Sequence, residues 1–126
     1  MHTLTRPGLL IAFVAVLGAS PAVAQAPAGV TPAMITQGDS IFHGKGNCYA
    51  CHGANAQGTV GPNLTDAEWI HSDGSFEAIV KQVDTGVPKE QSKSGIVMPP
   101  KGGAAITEDE VKAVAAYVYS LSHKKS

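Results

Sequence analysis

The sequence predicts an all-α fold, and three observations support this prediction. Apolar residues recur at positions i, i+3, i+4 and i+7 in two segments, 76–83 and 111–118, which is the spacing of an amphipathic helix. A hydroxyl residue that suits a helix N-cap precedes each segment, Ser75 before the first and Thr107 before the second. Strand-like alternation, internal repeats and domain linkers are all absent from the sequence. A length of 126 residues then fits one small domain.

The first 24 residues have the layout of a secretory signal peptide. Arg6 precedes an apolar stretch at 9–17, and small residues that end at Ala24 resemble a cleavage site. We therefore expect export to the periplasm, cleavage after Ala24, and a flexible mature N-terminus at 25–33. The alternative is an uncleaved membrane anchor, but the apolar stretch is shorter than the ~20 residues of a spanning helix.

Composition excludes some functions and points to a missing apolar component. The chain has 9 basic and 10 acidic residues, so it offers no basic surface for nucleic acid. Large apolar side chains are few, with one Trp and three Phe against 14 Gly. Since such a small core is barely sufficient for a domain of this size, we expect a cofactor to complete it.

The first two predicted helices lie in the N-terminal half. Thr31 is a candidate N-cap with a proline directly after it, and this helix is expected to end at about His43. Residues 53–61 have the composition of a loop. Thr65 and Glu68 then form a candidate capping box, which predicts a short helix carrying Trp69.

The second half is predicted to contain two longer helices around an irregular segment. The helix that starts after Ser75 is expected to end at Gly86. Residues 87–105 contain three prolines and three glycines, which favours neither helix nor strand. Thr107 and Glu110 form a second candidate capping box, for a last helix that reaches about Ser122.

The most specific motif is Cys48-Tyr49-Ala50-Cys51-His52. This C-x-x-C-H spacing is typical of covalent haem attachment. On a helical turn, residues three apart lie on one side, so the thiols of Cys48 and Cys51 can both reach the vinyl groups of one porphyrin. His52 would then bind the iron. The motif predicts one covalent haem c.

Three other interpretations of the cysteine pair remain open. An exported protein with two cysteines could form one disulfide. A zinc site usually needs four ligands, and the sequence has no second cysteine pair. A thioredoxin-like redox motif would follow a strand, whereas here a predicted helix precedes the cysteines.

Met98 is the leading candidate for the second axial ligand of the iron. It lies in the irregular segment, and the two prolines after it favour an extended backbone. His71 is the alternative, and would give a bis-histidine site. We expect Met34 to pack in the core, and His43 and His123 to face solvent.

With these motifs, the chain resembles the class I cytochrome c family, in its bacterial branch. The resemblance spans about residues 38–121 and includes four motifs in order. They are the C-x-x-C-H motif, Gly61-Pro62-Asn63-Leu64, Met98-Pro99 and the final helix from Ala115 to Leu121. The resemblance implies a class I cytochrome c fold, with about four helices around the haem in a domain at 34–123.

Roles for individual residues also follow from the resemblance. It implies that Gly38 and Phe42 cross Tyr117 of the last helix. It implies that the carbonyl of Pro62 accepts a hydrogen bond from the haem histidine, which orients that ligand. The remaining contacts with the haem would come from Leu64, which packs on it, and from Trp69, which donates a hydrogen bond to a haem propionate.

The resemblance implies a periplasmic one-electron carrier without catalytic activity, because two axial ligands leave no position for a substrate. We expect a monomer that meets redox protein partners and does not insert into the membrane. Four lysines flank the attachment and methionine segments and suit an acidic partner: Lys45, Lys89, Lys93 and Lys101. One alternative is a cytochrome subunit of a larger oxidase or dehydrogenase. A haem enzyme or gas sensor, with an open sixth position, is another.

Overall fold

The structure is a computed structural model that describes Gly18 and residues 26–124, and these residues form an all-α fold as predicted. The four α-helices are α1 (Pro32–His43), α2 (Tyr49–His52), α3 (Phe76–Thr85) and α4 (Glu108–Ser122), with a 3₁₀ helix at Pro100–Gly103. Within the described part of the chain, no helix has both the length and the apolarity needed to cross a membrane. The predicted signal peptide lies, apart from Gly18, outside the described residues, so its cleavage stays a prediction.

Helix α1 begins and ends where its local signals predict. The Thr31 side chain accepts a hydrogen bond from the backbone N–H of Met34 at 3.2 Å, and Pro32 occupies the first helical position, where it sacrifices no hydrogen bond. The helix ends at His43, before Gly44. Met34 is half-buried and packs against the core, as expected.

The crossing of α1 and α4 forms the centre of the core. A Cβ added at Gly38 would lie 2.0 Å from the carbonyl oxygen of Ala113 and 2.8 Å from Cβ of Tyr117, so only glycine permits this approach. The ring of Phe42 is fully buried and meets that of Tyr117 edge to face at 5.4 Å, a favourable aromatic geometry. The contact that the resemblance implied is therefore present.

Helices α3 and α4 both start with a side-chain cap. The Ser75 hydroxyl accepts from the N–H of Ala78. At α4, the Thr107 hydroxyl accepts from the N–H of Glu110 while the Glu110 carboxylate accepts from the N–H of Thr107, a complete capping box. Both predicted starts are confirmed, as is the end of α3 before Gly86.

The predicted short helix at Thr65 to Trp69 is wrong. The Asn63 side chain accepts from both the N–H and the hydroxyl of Thr65, and the Asp66 side chain accepts from the N–H of Glu68. These local bonds compete with helix formation and favour turns. The fourth helix is instead α2, the turn that carries Tyr49 to His52.

The long segment between α3 and α4 is held by one pair of backbone hydrogen bonds. The N–H of Val87 donates to the carbonyl of Met98 at 2.8 Å, and the N–H of Met98 donates to that of Val87 at 3.0 Å. The ten residues between these two therefore form a closed loop. The rest is irregular apart from the 3₁₀ helix at Pro100–Gly103.

Candidate cofactor site

A large cleft opens beside α4, and its lining includes Val114 and Val118 of that helix. The space free of protein atoms, counted out to its open mouth, is about 1310 Å³. Its lining is mainly apolar. Every site residue predicted from the sequence lines this cleft: Cys48, Cys51, His52, Pro62, Leu64, Trp69 and Met98.

Cys48 is the N-cap of the short helix α2 and Cys51 lies within it, and both are free thiols. Cys48 already has helical backbone angles, with φ −65° and ψ −36°, so the pair occupies one helical turn and faces one side. Cys48 is half-buried and burial raises the pKa of its thiol, while Cys51 is exposed. The disulfide interpretation is not what this structure shows.

His52 is buried and held in one orientation. Its side chain is 8% exposed, and Nδ1 lies 2.9 Å from the carbonyl oxygen of Pro62. Because a carbonyl can only accept, Nδ1 must carry the proton, which leaves Nε2 as a free acceptor. Burial lowers the pKa of His52, although the bond to Pro62 opposes this. The lowered pKa favours the neutral imidazole, the form that binds metals.

Gly61 makes room for the His52 ring. A Cβ added at Gly61 would lie 3.0 Å from Cε1 and 3.1 Å from Nδ1 of His52. The same residue donates its N–H to the carbonyl of Cys51 at 2.8 Å. These contacts join the Gly61-Pro62 turn to α2, which explains how a turn ten residues downstream reaches the histidine.

Met98 is placed by its backbone. Its two hydrogen bonds with Val87 tie it to the end of α3, and Pro99 after it is extended, with φ −67° and ψ 153°. Gly86, with φ +70°, allows close approach, since a Cβ there would lie 2.3 Å from the carbonyl oxygen of Met98. The half-buried methionine therefore reaches the cleft from a fixed position.

Another part of the cleft lining is formed by Leu64, Trp69 and His71. Leu64 donates its N–H to the carbonyl of Ala56 at 2.8 Å and packs against the core. The Trp69 indole lies over Gly74, where a Cβ would approach Nε1 to 2.2 Å. His71 is exposed and also lines the cleft, so the structure brings both candidate second ligands to it.

Sequence reasoning missed two features near the site. Gln82 lines the cleft, but a single polar residue beside an apolar helical stripe carries no signal in the sequence. His43 is exposed, as expected, yet it also connects two segments: Nδ1 lies 2.9 Å from the Asp39 carboxylate and Nε2 lies 2.7 Å from the carbonyl oxygen of Ala54. Such long-range contacts follow from packing alone.

Two of the four flanking lysines form ion pairs within the chain. Lys45 pairs with Glu110, and Lys101 lies 3.6 Å from Asp84. Both pairs are partly exposed, so each contributes little to stability. Their charges are already partly balanced, which leaves Lys89 and Lys93 as the better candidates to attract an acidic partner.

The donor set fits haem c better than a bare metal ion. Within residues 26–124, no group of three or more His, Cys, Asp or Glu is arranged to hold a metal ion. Two thiols on one helical turn, a neutral imidazole, a thioether and a large apolar cleft suit a covalently attached porphyrin. A thioredoxin-like arrangement lacks its strand, because α1 precedes the cysteines.

The comparisons with known proteins agree with this assignment. Residues 33–118 match the family described as cytochrome c oxidase, cbb3-type, subunit III. A cbb3-type cytochrome c oxidase subunit CcoP from Rubrivivax gelatinosus is 41% identical over 92 residues, which cover 72% of this chain and 27% of that protein. Subunit FixP from Rhizobium meliloti (strain 1021) is 35% identical over 100 residues, covering 77% of this chain and 30% of that protein.

A solved structure supports the fold. Cytochrome cL from the marine methylotrophic bacterium Methylophaga aminisulfidivorans MPT has a TM-score of 0.58 and 25% identity, covering 72% of this chain and 55% of that one. The predicted resemblance to c-type cytochromes and the class I fold are confirmed. This chain spans less than a third of the length of each of the two oxidase subunits, so the activity of the whole subunits is not assigned to it. The chain belongs to the family of cbb3-type cytochrome c oxidase subunit III and contains its c-type cytochrome domain.

Proposed function

We propose that this chain is the cytochrome c component of a larger respiratory oxidase complex and passes single electrons through one haem c. Cys48 and Cys51 hold the haem, and His52 and Met98 bind its iron. The observation that carries the proposal is the convergence of these four side chains on one apolar cleft. When bound, the haem iron supplies one-electron redox chemistry.

The chain's own residues determine how such a group behaves. The Pro62 carbonyl orients His52 and raises the basicity of its imidazole. Apolar side chains exclude water from the cleft, and a thioether ligand together with this environment favours the less charged ferrous state. If His52 and Met98 both bind the iron, they would leave it no position for a substrate, and the component would transfer electrons without catalysis of its own.

The axial ligands can be tested by near-infrared absorption of the protein matured with its haem. We expect a methionine-to-ferric-iron charge-transfer band in the wild type and its loss in Met98→Ala. Met34→Ala is the matched control, because Met34 packs against the core outside the cleft and should keep the band. A band absent from the wild type would contradict Met98 ligation, and its appearance in His71→Ala would identify the bis-histidine site.

The number of haems and the processing site can be tested by intact mass spectrometry. We propose a mature chain that begins at Gln25 and carries the mass of one haem, since the sequence has one C-x-x-C-H motif. A mass that retains residues 1–24 would contradict signal cleavage and support the uncleaved membrane anchor instead. A mass with no added haem, or with two, would contradict the cofactor proposal.

Membership of a complex rests on the relatives. Both oxidase relatives are named as subunits, which favours the subunit over the free carrier that we expected first. The test is size-exclusion chromatography of detergent extracts from the native cell. Elution together with oxidase activity is expected. Elution alone at the size of one chain, with oxidase turnover unchanged when the chain is deleted, would support a free carrier instead.

A further inference from the structure

His43 lies between α1 and the loop that follows α2, and both of its ring nitrogens face hydrogen-bond acceptors. Nδ1 lies 2.9 Å from the carboxylate of Asp39 and 3.0 Å from the carbonyl oxygen of the same residue. Nε2 lies 2.7 Å from the carbonyl oxygen of Ala54. A neutral imidazole carries one N–H, whereas an imidazolium carries two. The contacts on both sides of the ring are therefore favourable together only when His43 is protonated at both nitrogens.

The other groups packed around His43 are aromatic rings. The ring of Tyr49 from α2 stacks on His43 at a centroid distance of 6.3 Å, and the ring of Tyr117 from α4 meets it edge to face at 6.0 Å. Burial raises the pKa of the Tyr117 phenol, so this group stays neutral where His43 titrates. Lys45, the next cation along the chain, pairs with a carboxylate of α4, and residues 53–61 include no ionisable side chain. Among the described residues, Asp39 is thus the charged partner of His43.

Four consecutive carbonyls, at 51–54, hold the loop at 53–61 on the end of α2. The first three accept backbone N–H groups of the loop itself, which belong in order to Gly61, Gly58 and Ala56, at 2.8, 2.8 and 2.9 Å. The fourth carbonyl, that of Ala54, has the side chain of His43 as its partner. Because His43 belongs to α1, this contact fastens the loop to a different element of the fold.

The two sides of the His43 ring hold their protons with different strength. At Nδ1 the acceptors include the Asp39 carboxylate, and hydrogen bonds to an ionised group are about twice as strong as neutral ones. At Nε2 the acceptor is a neutral carbonyl. When the imidazolium loses one proton, it therefore loses the proton at Nε2. That nitrogen then presents a lone pair to the carbonyl oxygen of Ala54, and the contact becomes repulsive.

We propose that His43 is a proton-operated latch, which as an imidazolium fastens the loop at 53–61 to α1 and releases it when the Nε2 proton is lost. The latch does not depend on the haem ligation proposed above, because Asp39, His43 and Ala54 lie outside the cleft lining. It nevertheless affects the cleft, since Val60 and Gly61 belong to the loop and line it. Release of the loop admits water to that side of the cleft.

The pH at which the latch opens follows from the same contacts. The bond to the Ala54 carbonyl, and then those to Asp39, raise the pKa of His43 above its usual 6.5. The stabilisation that comes with a raised pKa is complete below the pKa of the open state and is lost as pH rises through that of the closed state. The latch is therefore closed in acidic solution and released towards alkaline pH.

Amide hydrogen exchange of the mature protein, followed by NMR from about pH 5 to about pH 9, tests the latch. Protection is the intrinsic exchange rate divided by the measured rate. Because His43 and Asp39 are both partly exposed, we expect a modest fall in protection at Gly58 and Gly61, about threefold over this range. The amides of Val87 and Met98 close another loop through backbone bonds alone, so their protection should not change.

Three variants test the proton itself. His43→Gln keeps a neutral amide that can donate to Ala54 but has no titrating proton, so protection of the loop should no longer depend on pH. Asp39→Ala removes the carboxylate that favours the imidazolium, so the fall in protection should move to lower pH. His123→Gln is the matched control, because His123 lies at the end of α4 beside Tyr119, and it should keep the wild-type profile.

The outcomes separate a latch from a merely structural contact. A flat profile in His43→Gln together with a shifted profile in Asp39→Ala supports the latch. A wild-type loop whose protection does not change with pH would overturn it, as would a His43→Gln variant that keeps the wild-type profile. A parallel fall at Val87 and Met98 would also overturn it, because the whole domain, and not the loop, would then be opening.

Discussion

The α1–α4 crossing and the cofactor cleft share helix α4, yet only the crossing has protein on both sides. At the crossing, Phe42 and Ala113 are 0% exposed, so the two helices complete each other's apolar surface. Around the cleft, four large apolar side chains remain 46–51% exposed: Val60, Ile70, Ile96 and Val97. All four line the cleft, so the described polypeptide leaves part of this domain's apolar surface uncovered.

The difference teaches that stability has two separate sources here. The crossing depends on shape, because a glycine and an edge-to-face aromatic pair allow two backbones to approach. The cleft is walled in part by loops, which a few backbone hydrogen bonds join. Such segments have little buried apolar contact of their own and are expected to open first.

The largest expected effect comes from replacing both cysteines, Cys48→Ala with Cys51→Ala. Without covalent attachment, the apolar walls of the cleft lose their partner. We expect backbone amides at 60–71 and 87–98 to exchange hydrogen at least about tenfold faster than in the haem-loaded wild type, while α1 and α4 change less. Hydrogen-exchange mass spectrometry measures this, and equal acceleration in both regions would show that they are one cooperative unit.

The second effect breaks the crossing instead. Gly38→Ala places a Cβ against the backbone of Ala113, and such overpacking costs about 3 kcal/mol. Urea unfolding of the haem-loaded protein measures the loss. Gln37→Ala, at the exposed neighbouring position, should leave the free energy of unfolding nearly unchanged. A Gly38→Ala variant as stable as this control would contradict the close approach.

A smaller effect is expected at the start of α4, which serves both regions. Thr107→Ala removes the hydroxyl that accepts the N–H of Glu110, and loss of an N-cap costs about 1 kcal/mol. Thr36→Ala is a suitable control, because Thr36 is exposed within α1 and caps no helix. The thermal unfolding midpoint of Thr107→Ala should be lower than that of Thr36→Ala, and equal midpoints would argue against the capping box.

The smallest effect concerns His43, which joins α1 to the loop after α2. The carbonyl of Ala54 and then the backbone and carboxylate of Asp39 raise the pKa of His43 above its usual 6.5. A raised pKa stabilises the fold fully below the unfolded pKa, and this stabilisation is lost as pH rises through the folded one. Because both side chains are largely exposed, less than about 1 kcal/mol is at stake.

His43→Gln measures that contribution. The wild type should exceed the variant in free energy of unfolding by more at about pH 5 than at about pH 9. His123→Gln is the matched control, since His123 lies at the other end of the chain beside Tyr119. If the difference in free energy of unfolding between wild type and variant does not depend on pH, the protonated imidazole of His43 does not stabilise the contact between α1 and the loop after α2.

The elements that sequence reasoning predicted correctly depend on contacts within four residues. The caps at Thr31, Ser75 and Thr107 and the spacing of Cys48 and Cys51 are of this kind, because a helical turn brings such positions together in any fold. The incorrect short helix after Thr65 was also local, but two signals competed there. The side chains of Asn63 and Asp66 accept hydrogen bonds from the N–H groups of Thr65 and Glu68. Helix propensity alone does not predict whether such local bonds or a helix will form.

By itself, the sequence determined the three longer helices, the attachment motif and the family resemblance, since these follow from spacing along the chain. Only the tertiary structure decided which distant side chains share the cleft with α2. The pairing of Val87 with Met98 and the contact between His43 and Ala54 both arise from packing between segments. Such contacts depend on where the backbone closes in space, and no periodicity along the chain records that.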